Sequence, residues 1–220
     1  MPLTFAQIKQ AVIDNTKPRE LCEFIQDTLI STNENELIDS GIGIATWVYC
    51  NGVVDDALLA EFNQANLNAK GVYTSGITVL NDPTIDIYVM AGADVTVNLT
   101  ANSRRKIAVM GAGLLAVNLS GNAYAEIKAY GQAELNVTAD DNSIAQVEYN
   151  DETIGDVIAN DTTILHTTVR GSSNTNYTGN NSSFNLIKGF SQAVCNITQN
   201  DTSVFDIRPY NNSNLIIPPP

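Results

Sequence analysis

The sequence predicts a mainly β protein, a two-faced parallel β-solenoid, preceded by a small and mostly α-helical N-terminal module. Each 20-residue coil consists of two 10-residue units, and each unit is one strand plus one bend. Three observations predict this fold. From Asp86 onward the chain divides into thirteen ten-residue lines without insertion or deletion. Apolar and polar residues alternate within a line, and neighbouring lines differ in a regular way.

The ten-residue line carries the signals of one strand and one bend. When Asp86 is counted as position one, position two is Ile or Val in eleven of thirteen lines, with Thr167 and Tyr177 as the exceptions. Positions ten, two and four alternate with polar positions one and three, which predicts a strand with one buried face. Positions six and seven are rich in turn-forming Gly, Asn and Asp. Position eight is always Ala, Ser, Thr or Gly, which predicts a sterically closed corner.

The alternation between neighbouring lines sets the true period at twenty residues. Position five is mostly large in one set of lines and small and polar in the other. A coil of two strands and two bends therefore closes after twenty residues, and the next coil stacks on it. Strands spaced about 4.8 Å apart over roughly six and a half coils predict a rod about 30 Å long. An interleaved trimer of three chains is the alternative, and the strict alternation favours the single-chain coil.

Two surfaces of the predicted solenoid are candidate interaction sites. The large residues at position five form a column along one corner, which is either packed under the chain's own module or exposed as an interaction stripe. The residues of this candidate interaction stripe are Met90, Met110, Tyr130, Phe190 and Tyr210. The other sheet carries a candidate Asn/Thr face, on which amide ladders are expected along the stack. Its residues are Asn98, Asn118, Asn136, Thr138, Asn176, Thr178, Asn196 and Thr198.

The chain is expected to divide into a docking and capping module at 1–75, a solenoid at 76–215 and a proline tail at 216–220. The module is expected to cover the first coil. The tail is expected to end the stack, because proline cannot donate a hydrogen bond to a ladder.

Local signals predict the elements of the module. Thr4 with Gln7 fits a capping box, and Pro18 suits the first turn of a second helix. The polar stretch 31–36 is predicted to be a connector, and the β-rich stretch 42–50 to be extended. A further helix is predicted from Asp55 to about Ala69, with Gly71 ending it and Trp47 in the core of the module.

Composition and charge argue against several classes of partner. The net charge is −13, with 11 acids and 4 bases in 1–85 and 13 acids and 7 bases in 86–220. There is no extended basic run or tail, which argues against nucleic acid and against an anionic membrane surface as partners. The apolar runs are too short for a transmembrane helix, and the N-terminus does not resemble a signal peptide. Three widely spaced cysteines predict reduced, buried thiols and neither a disulfide framework nor a zinc motif.

The sequence predicts no catalytic residue, metal ligand or cofactor. His166 is the only histidine, and no nucleophile accompanies it in the repeat register. The acidic pairs Asp140–Asp141 and Asp151–Glu152 fall at bends rather than in a groove, so we interpret them as turn residues and not as a glycosidase pair. Ten-residue lines also differ from the glycine-rich nonapeptides of calcium-binding rolls. The Asn/Thr face is too interrupted to be a regular ice-binding array.

With ten-residue lines such as KIAVMGAGLL placed after a helical module, the chain resembles bacteriophage virion structural proteins that have an N-terminal docking domain and a β-solenoid. The resemblance implies a non-enzymatic fibre, adaptor or accessory component of a tail or capsid. It implies other virion proteins as partners, homo-oligomerisation on the particle, and assembly in the host cytoplasm. The chain is short and has no recognisable glycan cleft, so the adaptor role is favoured over receptor binding.

Two other functions are compatible with the same sequence. Aromatic residues on the stripe are compatible with a carbohydrate-binding or carbohydrate-cleaving β-solenoid, and glycan contact is the weaker expectation. A polymerising scaffold similar to the bacterial bactofilins is the other alternative, although bactofilins lack so large a helical module.

Overall fold

A computed structural model describes residues 2–17, 22–211 and 213–216. Within these residues six short helices precede the strands. They are α1 Phe5–Thr16, α2 Cys22–Ile30, α3 Glu34–Ile42, α4 Ala45–Cys50, α5 Asp56–Leu59 and α6 Gln64–Ala69.

Sixteen strands follow the helices in the described chain. They are β1 Val72–Tyr73, β2 Ile77–Asn81, β3 Ile87–Val89, β4 Asp94–Leu99, β5 Arg104–Gly111, β6 Leu114–Leu119, β7 Tyr124–Gly131, β8 Glu134–Ala139, β9 Ile144–Tyr149, β10 Ile154–Ala159, β11 Ile164–Val169, β12 Asn174–Gly179, β13 Phe184–Gly189, β14 Val194–Gln199, β15 Val204–Pro209 and β16 Asn214–Ile216. The odd-numbered strands form one parallel eight-stranded sheet, here called sheet A, and the even-numbered strands form a second, sheet B.

The strand register confirms the two-faced parallel β-solenoid and its twenty-residue period. Ile107 pairs with Ile127 in sheet A, and Val117 pairs with Val137 in sheet B. Each strand pairs with strands of the same chain, as the single-chain coil requires. The first coil departs from the period, since Val72 pairs with Tyr88. This coil, formed by β1 and β2, therefore lies outside the thirteen predicted lines.

The inward columns form one continuous core. Position two is buried from Ile87 to Ile197, and only Ile207 in the last line is partly exposed. Position eight is buried in every line except those of Ser103 and Ser213, which confirms the closed corner. Position six has a positive φ in all thirteen lines, between 45° and 71°. Gly, Asn and Asp tolerate this left-handed conformation best, which explains why the bends select them.

Buried polar side chains are confined to the second half of the described solenoid. After Asp86, every buried polar residue lies at Ser143 or later, and the earlier coils are filled by Val, Leu, Ile and Ala. Two of these hydroxyls have no hydrogen-bond partner among the described residues: Ser143 and Thr163.

One irregularity in sheet B lets a buried tyrosine span the core. The hydroxyl of the fully buried Tyr149 donates to the backbone oxygen of Leu135 at 2.9 Å. Opposite Leu135 lies Gly155, where an added Cβ would come within 1.8 Å of that same oxygen. Next to it, the backbone N–H of Asp156 donates to the side-chain Oδ1 of Asn136 at 2.9 Å. Because Gly155 has no side chain, the backbone oxygen of Leu135 can lie where it accepts the hydrogen bond from Tyr149.

The first predicted helix is confirmed, and the connector is shorter than predicted. The side chains and backbones of Thr4 and Gln7 form the capping box at the start of α1. Within the stretch 31–36, Asn33 already caps α3, with its side chain accepting from the backbone N–H of Glu36 at 3.1 Å. Pro18 lies outside the described residues.

The prediction of an extended segment at 42–50 is wrong, because Ala45–Cys50 forms helix α4. Its β-branched and aromatic residues favour strands in isolation, but tertiary packing decides here. Val48 is buried, and Trp47 and Tyr49 are partly buried against the module's core. The long helix predicted from Asp55 to Ala69 is also wrong in part, because it is divided into α5 and α6. Gly71 follows α6 with a φ of +80°.

The module covers one strand of the first coil and leaves the other open. Val72 and Tyr73 of β1 are buried, and the side-chain amide of Asn68, in its hydrogen-bonded orientation, donates to the outer backbone oxygen of Val72 at 3.0 Å. Strand β2 has one strand neighbour, β4, and its inward-facing Leu80 is only partly buried. The expectation that the module covers the first coil is therefore met at β1 alone.

Candidate interaction surfaces

The first half of the candidate interaction stripe is covered by the chain's own module. Met90 and Met110 are buried in the core cluster of the helical module, at 4% and 0% exposure, and Tyr130 packs partly buried against that cluster. The module therefore docks along the corner of the solenoid, over β3, β5 and β7.

Tyr49 of α4 fits into the bend of the coil at Gly111. An added Cβ at Gly111 would lie 2.1 Å from the Tyr49 hydroxyl oxygen, so only glycine leaves room for the ring. The hydroxyl donates a short hydrogen bond to Oδ1 of Asp56, which begins α5. Partial burial, followed by the nearby Asp56 carboxylate, raises the pKa of Tyr49 well above its ordinary value. The phenol therefore remains a neutral donor at physiological pH.

We expect Gly111→Ala to loosen the contact between the module and the solenoid. The new methyl group would displace the Tyr49 ring, and φ of +64° disfavours any side chain at this position. The expected result is a loss of about 2 kcal/mol in unfolding free energy, together with faster proteolysis at α4. Gly131→Ala is the matched control, because its bend has a similar φ of +71° while an added Cβ lies 3.4 Å from its nearest neighbour. Equal effects of the two substitutions would contradict the role assigned to Tyr49.

The second half of the stripe lies beyond the module and forms a stacked column, in which Phe190 is half-buried. The Phe190 and Tyr210 rings lie 4.7 Å apart with an interplanar angle of 6°. The guanidinium carbon of Arg170 lies 5.3 Å from the centroid of the Phe190 ring. Tyr210 is 42% exposed. The five predicted stripe residues therefore divide into a group covered by the module and a stacked pair in which only Tyr210 is exposed.

The candidate Asn/Thr face lies on the outer side of sheet B, and the expected amide ladders are present in two stretches. Asn118 donates from its amide to Asn98 at 2.8 Å, and Asn98 donates to Asn81 at 2.7 Å. Asn196 donates to Asn176 at 3.0 Å, and Asn176 donates to Asp156 at 2.8 Å. These bonds link successive coils, so the amides stabilise the stack.

The acidic residues at the bends also bond from coil to coil. Asp141 accepts from the backbone N–H of Gly121 at 2.8 Å, and Asp151 accepts from that of Gly131 at 3.1 Å. These bonds support the interpretation of the acids as turn residues. His166 lies exposed on sheet A, and no group of three or more metal-ligating side chains occurs among the described residues.

Sequence reasoning did not connect the outward basic residues with the second half of the stripe. Lys188 and Arg208 occupy position three on neighbouring sheet A strands, beside Phe190 and Tyr210 at position five. The signal was present, because positions three and five of one line lie on the same outward face. It also missed an apolar column at position nine of sheet A, whose residues are Tyr124, Ile144, Ile164, Phe184 and Val204.

The two described cysteine side chains differ in accessibility, which predicts selective labelling. Cys195 is buried in the core, and burial raises the pKa of its thiol to about 11. Cys50 is exposed. In a Cys22→Ala/Cys50→Ala variant we expect Cys195 to react with a thiol reagent at pH 8 at least about 100-fold more slowly in the native state than in urea. Rapid native labelling would contradict the closed core. The Cys22→Ala/Cys195→Ala variant is the control, and its exposed Cys50 should react at similar rates in the native state and in urea, although partial burial raises the pKa of this thiol.

Comparisons of the chain with models of protein families, with curated proteins and with solved structures give no match. In the described part of the chain, no helix has the length and apolar character needed to cross a membrane.

Proposed function

We propose that the chain is a non-enzymatic structural protein of a phage particle, acting as an adaptor or accessory component of the tail or capsid. In this role the helical module docks on other virion proteins, and the solenoid acts as a stiff spacer that self-associates on the particle. The observation that carries the proposal is the docking of the module along the corner of the solenoid. Through Met90, Met110 and the Tyr49–Gly111 contact, two structurally different parts are packed together.

The distribution of polar groups supports a structural role. The outward amides and bend carboxylates bond to neighbouring coils, as in Asn118 to Asn98 and Gly121 to Asp141. Because these groups bond neighbouring coils to each other, their arrangement is more typical of a structural protein than of an enzyme.

The carbohydrate alternative has less support from the exposed aromatic residues. Sugars stack on the faces of aromatic rings, but one face of Phe190 lies against Tyr210 and the other faces Arg170. The scaffold alternative requires coils to stack end to end, and Asn68 occupies the outer edge of β1.

The proposal is tested by quantitative mass spectrometry of phage particles banded in a density gradient. We expect the chain at a fixed ratio to the major capsid protein through successive gradients. An abundant soluble host enzyme is the control, and its ratio should fall at each step. If the ratio of the chain to the major capsid protein falls in parallel with that of the host enzyme, the chain is not a virion component and the proposal is wrong.

A further inference from the structure

A basic and aromatic patch remains on the corner of the solenoid beyond the helical module. This corner patch consists of Arg170, Lys188, Phe190 and Tyr210. It continues the column in which Met90, Met110 and Tyr130 are covered by the module. The same column therefore binds a helical unit over its first half and exposes a stacked apolar surface over its second.

The corner patch is locally positive on a chain of net charge −13. Within the described residues, no carboxylate lies within ion-pair distance of Arg170 or Lys188. The neighbouring Arg208 is already bound to Asp206 at 2.5 Å, and Glu148 pairs with Lys128 at 3.6 Å. After the hydrogen bond from Arg208, Lys188 attracts the Asp206 carboxylate at longer range and helps to lower its pKa, so Arg170 is the cation beside the rings that is most available to an acidic and apolar partner.

The C-terminal end of α2 has the complementary chemistry. Ile30 is 74% exposed and Leu29 is 53% exposed, so two adjacent aliphatic side chains project from the module. Asp27 lies exposed one turn earlier, with no ion pair among the described residues. Lys9 donates from Nζ to the backbone oxygens of Leu29 and Ser31, both at 2.7 Å, and so holds this end of α2 in place. Asp27, Leu29 and Ile30 are called the α2 knob below.

We propose that the α2 knob of one copy docks on the corner patch of a second copy. Leu29 and Ile30 would pack on the edges of Phe190 and Tyr210, and Asp27 would pair with Arg170 or Lys188. In the proposed assembly each contact uses one knob and one patch and leaves the other knob and patch free, so that copies add head to tail. The proposal identifies the contact behind the self-association in the proposed function. It does not depend on which particle carries the chain.

The small size of the two surfaces sets the expected affinity. Two aliphatic side chains and one or two ion pairs fall below the area of a standard stable interface, so we expect a dissociation constant of about 10 μM or weaker. The ion pairs should make association weaker in high salt.

Sedimentation velocity over a range from about 1 to about 500 μM tests the proposal directly. We expect the wild-type chain to form dimers and longer oligomers as concentration rises. Arg170→Glu damages the patch and Ile30→Asp damages the knob, and each should weaken association at least about tenfold. Leu3→Ser and Lys106→Glu alter exposed residues outside both surfaces and should leave association unchanged. Far-UV circular dichroism checks that every variant is folded.

A mixture of the two damaged variants distinguishes this contact from other ways of pairing. The Arg170→Glu chain retains an intact knob, and the Ile30→Asp chain retains an intact patch. Their equimolar mixture should form one-to-one dimers and stop there. A wild-type chain that stays monomeric throughout, association that neither variant weakens, or a mixture that stays monomeric would each overturn the proposal. None of these results would alter the ratio measured on particles, so the proposed function is tested separately.

Discussion

Val137→Asp is expected to unfold the solenoid. Val137 is 1% exposed and lies in the position-two column between Val117 and Val157. A carboxylate there has no partner in an apolar core, so we expect a loss of about 5 kcal/mol or more in unfolding free energy. The measurement is the urea midpoint followed by far-UV circular dichroism.

Thr138→Asp is the matched control for this substitution. It adds the same charge one residue later on the outward face, where the strand neighbours are Asn118 and Ile158. We expect a change within about 1 kcal/mol. Asn136 is less suitable, since its amide donates to Glu134 and its Oδ1 accepts from the backbone of Asp156. Equal damage at 137 and 138 would mean that the inward and outward assignments are wrong.

Gly155→Val is expected to have the second largest effect. Its Cβ would overlap the backbone oxygen of Leu135 at 1.8 Å and the carbonyl carbon at 2.7 Å, and backbone atoms cannot move aside cheaply. We expect a loss of about 4 kcal/mol or more, because strands β8 and β10 must separate. Thermal and urea unfolding of the purified variant measure it.

Tyr149→Phe separates the steric effect at Gly155 from the hydrogen bond that it permits. The ring remains, but the Leu135 oxygen loses the hydroxyl donor at 2.9 Å. A loss of about 1–3 kcal/mol is expected for one buried acceptor left unpaired. Tyr124→Phe, at an outward hydroxyl that donates to Glu126 at 3.2 Å, should change stability by less than about 0.5 kcal/mol. If Gly155→Val proves harmless, the close approach of the two strands is contradicted.

The solenoid could be predicted well from the sequence because the same pattern of residue types recurs in every ten-residue line. Each line places the same kinds of residue at the same bend and in the same column, so thirteen weak signals support one another. The roles of the small residues at position eight and of the turn formers at position six could be predicted from the sequence alone, because they depend on the local backbone and not on distant contacts. The first coil was missed, because Val72 pairs sixteen residues ahead with Tyr88 and not twenty.

The helical module and the candidate surfaces were harder to predict, because contacts distant in sequence decide them. Residues 42–50 have strand propensities, yet Val48 and Tyr49 pack on the solenoid corner as parts of a helix. Whether Met110 was exposed or covered depended on where that helix docks. The Tyr49–Gly111 contact joins residues of different modules, and no local pattern predicts it. In the sequence, Gly155 interrupts an apolar column. The hydrogen bond from Tyr149 to the Leu135 oxygen, which requires glycine at 155, involves a residue of the opposite sheet and could not be predicted.

The uneven filling of the core implies a direction of folding. In a stacked repeat each coil is stabilised mainly by its neighbours, so coils with unpaired buried hydroxyls such as Ser143 and Thr163 contribute least. The apolar coils before Ser143, braced by the module, are also the first to leave the ribosome. They can serve as a template on which later coils add one at a time. Amide hydrogen exchange should therefore be fastest in β11–β16 and slowest in β4–β7. The strands that are synthesised later should thus also be the first to unfold locally.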